Sequence, residues 1–344
     1  MRPWSTDAAG RLDELEIDSR ALADNPLGDP SVRPLWVYVP PGYDRESDRR
    51  YPVVHVIQGL TGQLDMWRNR DAFRPTYPEA VDDLFSNGDA DGPVPPAIVA
   101  FVDCWTSIGG SQFLNSPAVG RYHDYLCEEV VPFVDARYRT RPDRRAIQGK
   151  SSGGYGAMVT AMLRPDLFHA FASHAGDALF EACYLPDFRA AARALRMEYE
   201  GSFERFWEEF RARPAGTKET DWVLLNVWCM AACYSADPDG AVRLPFEVGT
   251  GRLIDEVWSR WLAWDPVRMA PRRADALRSM RAIWLDAGTK DEYHLDLGAV
   301  AVSKELEALG VPHTLELFEA GHGSIGYRYP RSLAFLTRAL SPEA

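Results

Sequence analysis

Short apolar runs alternating with longer amphipathic stretches constrain this 344-residue chain more than any other feature. Val53–Ile57, Ala97–Val102, Arg145–Gln148, Ala170–His174, Ala282–Asp286 and Thr314–Phe318 read as strands. The pattern is that of buried parallel strands joined by crossover helices. Tyr122–Ala136, Tyr155–Leu163, Leu295–Leu309 and Pro330–Leu340 carry apolar positions three and four residues apart, and the spacing predicts helices there. Ahead of them, Leu12–Leu22 and Pro34–Val39 are expected to form an antiparallel pair that opens the sheet. Pro40-Pro41-Gly42 ends the second of these, because proline cannot donate to a ladder.

One region breaks the alternation. Between about Asp177 and Ala270 no strand stands out, but the sequence is helix-like and holds Trp207, Trp222, Trp228, Trp258, Trp261 and Trp264, six of the 11 tryptophans. The expectation is a single elaborated α/β domain, 1–344, with a largely helical lid at 177–270 over the carboxyl edge of the sheet. The aromatic side chains either line a pocket there or form the insertion's own small core.

Acidic residues exceed basic ones for a net charge of −12, a field that repels phosphate backbones and anionic lipid. Nucleic acid and membrane are therefore not expected as partners; a small-molecule substrate is, with homo-oligomer formation left open. The opening residues contain no apolar run after a basic start, and no later stretch reaches the roughly 20 apolar residues a bilayer needs, so a cytoplasmic location is expected. Cys104, Cys127, Cys183, Cys229 and Cys233 are odd in number and lack metal-site spacing, so they read as reduced, mostly buried thiols. No metal or cofactor is implied.

Gly149-Lys150-Ser151-Ser152-Gly153 fits G-x-S-x-G, and it lies between a strand-like run and a helix-like one. A turn this tight forces the serine into a strained backbone and projects its hydroxyl from the carboxyl end of the sheet, at a helix N-terminus that favours an oxyanion. The alternative phosphate-loop reading needs a glycine where Arg144 stands. Serine is a weak nucleophile at neutral pH, so it requires a histidine base and a carboxylate to orient that base, which in α/β-hydrolases follow in the order acid, then histidine. Asp291 stands in the turn just beyond strand Ala282–Asp286, with Glu292 as its rival; Asp286 falls inside the strand. Of the histidines beyond the acid, His313 opens the last strand at the wrong edge and His294 is too close to Asp291. His322, between Gly321 and Gly323 after strand Thr314–Phe318, is free to reach Ser151. The oxyanion hole is expected from the backbone N–H groups of Ser152 and of Leu60 in the loop Gln58-Gly59-Leu60-Thr61-Gly62.

Trp36-Val37-Tyr38-Val39-Pro40-Pro41-Gly42-Tyr43, Tyr51-Pro52-Val53-Val54, Gln58-Gly59-Leu60, Gly110-Ser111-Gln112-Phe113-Leu114-Asn115-Ser116, Gly149–Ala157 and Gly321-His322 together resemble the "putative esterase", or esterase D, family of α/β-hydrolases. That family includes S-formylglutathione hydrolases, enterochelin-type siderophore esterases, feruloyl esterases and mycolyltransferases. The resemblance covers nearly the whole chain outside 177–270. It implies the α/β-hydrolase fold, a mostly parallel twisted sheet flanked by helices, and acyl-enzyme chemistry. It also implies that the Gly110–Ser116 loop borders the active site. Two positions depart from the family pattern: Gln58 where His is common, and Lys150 where His or Glu is common, the latter favouring anionic acyl or alcohol groups. Gln58, Lys150, Trp67, Asn115 and Asp177 are the candidate substrate contacts. The leading reading is a serine carboxylic-ester hydrolase acting on a small to medium, partly apolar ester. An acyltransferase or thioesterase on the same triad, and a non-catalytic binding module that keeps the fold, are the alternatives.

Overall fold

The computed structural model describes residues 8–70 and 73–341. The first seven residues, part of the stretch read above for a leader, lie outside the described residues. In chain order the strands are β1 (Arg11–Asp18), β2 (Val32–Val39), β3 (Tyr51–Ile57), β4 (Ile98–Val102), β5 (Asn115–Ser116), β6 (Gly120–Arg121), β7 (Thr140–Lys150), β8 (Ala170–His174), β9 (Ala282–Gly288) and β10 (Thr314–Phe318). β5 and β6 form a short ladder of their own; the other eight make one sheet in the order β1-β2-β4-β3-β7-β8-β9-β10. The contacts β1·β2 and β2·β4 are antiparallel, and every pairing from β4 to β10 is parallel. β2 therefore returns beside β4 rather than beside β3. With helices on both faces, this is the α/β-hydrolase architecture.

The apolar runs read as strands because both of their faces are covered. All seven residues of β3 are buried. Val53 and Ile57 pack into one layer beside Leu126, Val130 and Met158, while Val54 and Val56 pack into the other beside Val81, Leu333 and Leu336. Alternation along each strand thus feeds two cores at once, which explains the continuous hydrophobicity. His55 shares this burial: neither ring nitrogen has a hydrogen-bond partner of normal geometry. Burial, then the nearby Arg145 charge, pushes its imidazole down to about 4. The unfolded chain would take up a proton at a higher pH than the folded one, so stability is lost as pH falls through that interval.

The predicted helices form with shifted ends: Ser152–Leu163, Leu295–Ala308 and Tyr329–Leu340. The stretch expected as one helix over Tyr122–Ala136 widens to a π-helix at Tyr125–Val130 before returning to α-helix at Val131–Arg137. Pro132 supplies the reason, since it offers no N–H to the carbonyl one turn back and its ring crowds that turn. The structure adds a helix at Tyr77–Asn87. Its signal was present: Thr76 and Glu79 form a reciprocal capping box, and Pro78 sits in the first turn. β1 ends four residues earlier than expected, where Ser19 Oγ and the Arg20 and Ala21 N–H groups turn to Glu129.

Between β8 and β9 the chain runs through helices at Phe180–Cys183, Leu185–Glu198, Phe203–Ala212, Asp221–Tyr234 and Asp255–Ala263, with no strand of the main sheet. Most of the tryptophans here serve the segment's own core. Trp258 and Trp261 meet Phe188 edge-on, and Trp228 stacks flat on Phe203 at 3.7 Å. All five cysteines are buried and unpaired. Among the described residues no helix is long and apolar enough to cross a membrane.

Candidate active site

Four parallel strands, β3, β7, β9 and β10, end at one edge of the sheet, and each hands its chain to a loop there. The carboxyl ends of parallel strands in open α/β sheets are where side chains from distant segments converge. β7 ends at Lys150, and the helix Ser152–Leu163 starts two residues later, so Ser151 is the whole turn. Its backbone adopts φ 58°, ψ −128°, a region that costs a non-glycine residue about 1–3 kcal/mol. Neighbours hold the strain in place: Ser151 N–H donates to the His174 carbonyl at 2.9 Å, and its carbonyl accepts from Tyr155 N–H at 2.9 Å. The glycines of the motif permit the crossing. A Cβ on Gly153 would lie 2.7 Å from the carbonyl oxygens of both Ile57 and Gln58, and one on Gly149 would lie 2.5 Å from the Gly153 backbone. The helix meets the end of β3 here, backbone to backbone.

The structure brings His322 and Asp291 to this serine. Backbone pairing continues past β9 and β10, from Thr289 N–H to the Phe318 carbonyl (2.8 Å) and from Lys290 N–H to the Ala320 carbonyl (2.9 Å). The acid loop and the histidine loop are therefore laid side by side. His322 Nδ1 donates to Asp291 Oδ2 at 2.8 Å, and the Ser151 hydroxyl donates to His322 Nε2 at 3.1 Å. The carboxylate can only accept, which puts the ring proton on Nδ1 and leaves Nε2 free to take the serine proton. Asp291 Oδ1 accepts from Tyr293 N–H at 2.9 Å, and its side chain is 0% exposed. The Tyr293 ring meets the imidazole edge-on at 4.9 Å between centroids.

Glu292 does something else. Its Oε2 accepts from the His322 backbone N–H at 2.8 Å, and that bond holds the Glu292 carboxyl below the usual range. One acid grips the ring and the next grips the backbone of the same residue. His313 bonds Ser303 Oγ at 2.6 Å at the far end of β10, and exposed His294 is the left-handed residue before the helix Leu295–Ala308.

The loop after β3 packs against the Ser151 turn: a Cβ on Gly59 would sit 3.1 Å from the Lys150 carbonyl and 3.4 Å from Ser151 Cβ. Thr61 N–H pairs with the Gly109 carbonyl, which leaves the Leu60 N–H without a protein acceptor among the described residues. Ser152 N–H, in the first turn of its helix, is likewise unclaimed.

Around these groups opens a cleft of about 950 Å³, lined by Ser151, His322, Lys150, Trp67, Asp177 and residues of the flanking loops and helices. Three of the five sequence-derived contact candidates therefore reach it, and two do not. Gln58 is buried behind the loop; oriented to suit its neighbours, its amide donates to the Val102 carbonyl (2.7 Å) and accepts from Cys104 N–H (2.7 Å) and Trp105 N–H (2.9 Å). It ties the end of β3 to the end of β4. Asn115 is exposed on β5, outside the cleft lining, where its amide donates to Asp124 at 2.8 Å. The Gly110–Ser116 loop touches the site from below through Gln112, which donates to Asp177 (3.1 Å) and Tyr234 (2.8 Å). Burial pushes the Asp177 carboxyl up, against the pull of Tyr184, whose hydroxyl donates to it at 2.7 Å.

A second Ser-His-Asp constellation lies beneath the first. His174 Nδ1 donates to Asp286 Oδ1 at 2.7 Å, and the Ser332 hydroxyl donates to His174 Nε2 at 2.8 Å. All three side chains are fully buried, and Asp286 is further bound by Trp284 and Arg328. No substrate can reach it. It pins the residue whose carbonyl holds Ser151 N–H, a support that the sequence hid because Ser332 lies on the last helix.

A family model described as "Putative esterase" matches residues 31–328, most of the chain. The chain belongs to this esterase family. Solved structures share the fold of this esterase-family chain at low identity. A ferulic acid esterase is 17% identical with a TM-score of 0.62, covering 97% of this chain and 100% of that one. An S-formylglutathione hydrolase from Agrobacterium tumefaciens is 16% identical with a TM-score of 0.58, covering 98% of each chain. A fluorophosphonate-binding serine hydrolase from Staphylococcus aureus is 14% identical with a TM-score of 0.57, covering 95% of this chain and 98% of that one. Among curated proteins, an uncharacterized protein of Corynebacterium glutamicum is 24% identical over 183 residues, which is 50% of this esterase-family chain and 41% of that protein.

Proposed function

We propose that the protein is a serine carboxylic-ester hydrolase that works through an acyl-enzyme. One observation carries the reading: the unbroken relay from Asp291 through His322 to the strained Ser151, at 2.8 and 3.1 Å. Ser151 Oγ attacks the ester carbonyl as His322 Nε2 takes its proton. Asp291 stays ionised, keeps the ring in the tautomer that can accept, and stabilises the imidazolium that forms. The oxyanion is received by the N–H groups of Ser152 and Leu60, each worth about 3–4 kcal/mol in the transition state. His322 then gives its proton to the departing alcohol, and a water repeats the cycle on the acyl-enzyme.

Residues 177–270 act as a cap in this reading. Cys183, Tyr184, Asp187, Trp222 and Asn226 from that segment share the cleft lining with Trp67, Tyr77 and Tyr329 from the sheet's other flank. A lining that is mostly apolar, yet carries several polar and charged side chains, suits a partly apolar ester of small to medium size. The test is covalent: a fluorophosphonate probe should label wild type and leave Ser151→Ala unlabelled, and p-nitrophenyl esters should show a burst of phenolate followed by steady turnover. A folded wild type that takes up no probe would instead support the non-catalytic binding module.

A further inference from the structure

Lys150 is the last residue of β7, immediately before the nucleophile. In a strand, residues two apart share a face, so Lys150 points the same way as Gln148, whose amide bonds the Tyr77 hydroxyl. On that side Trp67, Tyr77 and Tyr329 form an aromatic wall of the cleft, and Lys150 lines the cleft with them. The side chain is half-buried, yet its ammonium makes no ion pair and no hydrogen bond among the described residues. Burial draws the group below its ordinary value, while Asp291, Glu292 and Asp177 work to keep it charged. Each of those acids already has its own partner: Asp291 holds the His322 ring, Glu292 the His322 N–H, and Asp177 the Tyr184 hydroxyl and Gln112 amide. Asp177, raised by its own burial, also offers less counter-charge than a free carboxylate. A cation removed from bulk water and left without a contact partner is stabilised by whatever anion can reach it.

We propose that Lys150 makes this cleft selective for esters that carry a carboxylate, with the ammonium pairing directly with that group while the Trp67–Tyr77–Tyr329 wall takes the apolar part between carboxylate and ester. The proposal rests on the hydrolase reading and names its substrate class. The carboxylate can belong to the acyl half, as in the monoester of a dicarboxylic acid, or to the alcohol half, as in an ester of a hydroxy acid; the chemistry at Lys150 is the same.

Two matched pairs of esters separate the cases: p-nitrophenyl hydrogen glutarate against p-nitrophenyl pentanoate for the acyl half, and p-acetoxybenzoate against its methyl ester for the alcohol half. The quantity to follow is the ratio of kcat/KM for the anionic member to that for its neutral partner, compared between wild type, Lys150→Met and Lys150→Arg, so that intrinsic reactivity cancels. In one pair the ratio should fall roughly tenfold or more in Lys150→Met, the scale of one charge-assisted hydrogen bond, and Lys150→Arg should keep most of it. Neither ratio moving, as expected of a merely hydrated ammonium, overturns the proposal. So does a parallel loss of both members of each pair, which would make Lys150 a support of the nucleophile turn. If wild type turns over none of the four esters, the hydrolase reading itself falls, and this one with it.

Discussion

Two adjacent carboxylates touch the same histidine, and replacing each by its amide should separate their roles. In Asp291→Asn the amide replaces a carboxylate that is 0% exposed and bonded to His322 Nδ1 at 2.8 Å. Its NH₂ can donate to the ring, which then carries its proton on Nε2 and cannot accept from Ser151. The tautomer error, with loss of the charge that stabilises the imidazolium, is worth on the order of ten-thousand-fold in kcat, or about 5 kcal/mol. In Glu292→Gln the amide oxygen still accepts from the His322 backbone N–H, so only the charge assistance of an exposed bond is lost; the expected drop is about fivefold, near 1 kcal/mol. The assay is steady-state hydrolysis of a p-nitrophenyl ester near pH 8, with thermal melts to confirm that both variants fold. A larger loss in Glu292→Gln than in Asp291→Asn would refute the assignment of Asp291 as the acid. Equal small losses would refute the relay.

Other perturbations test the scaffold. Between about pH 7.5 and 5, urea unfolding of wild type should lose about 2 kcal/mol more than that of His55→Leu, because the buried imidazole stays neutral down to about 4 while the unfolded one, at 6.5, protonates first. Equal acid losses in the two proteins would contradict the burial cost assigned to His55. Thr76→Ala removes the cap of the helix Tyr77–Asn87 and should lower stability by about 1 kcal/mol in urea; an unchanged midpoint would mean that the capping box is idle. Gly153→Ala puts a methyl 2.7 Å from two carbonyl oxygens that cannot move independently, so a loss of about 3 kcal/mol or an insoluble product is expected. A wild-type melting temperature for that variant would contradict the close packing of Gly153 on the end of β3.

How far the sequence could be read depended on the range of the forces involved. The runs Ala170–His174 and Thr314–Phe318 emerged with their ends unchanged, because apolar patterning bounded by turn residues is a local signal. The order of serine, acid and histidine, and the positions of the last two after strand ends, were equally legible: parallel topology sends every such loop to one edge. The π-helical widening at Tyr125–Val130 was not, since the helix continues on either side of Pro132 and the pattern hardly changes. Asn115 and Gln58 looked like substrate contacts because they sit in motif loops. Whether such a side chain turns outward or inward is decided by what the neighbouring strand presents, and for Gln58 that is the carbonyl of Val102 and the amides of Cys104 and Trp105.

By itself, then, the amino-acid order determined the alternating layers, the strained turn at Ser151 and the choice of His322 as the candidate base, all of which follow from short-range periodicity, glycine placement and chain order. Tertiary structure alone decided which acid meets the imidazole, which tryptophans line the cleft, and that Ser332, His174 and Asp286 make a buried second constellation. Those outcomes depend on contacts between segments apart in sequence, by 31 residues for Asp291 with His322 and by more than a hundred for His174 with Asp286 and Ser332, and hydrophobic periodicity carries no information about which distant polar atoms will face one another.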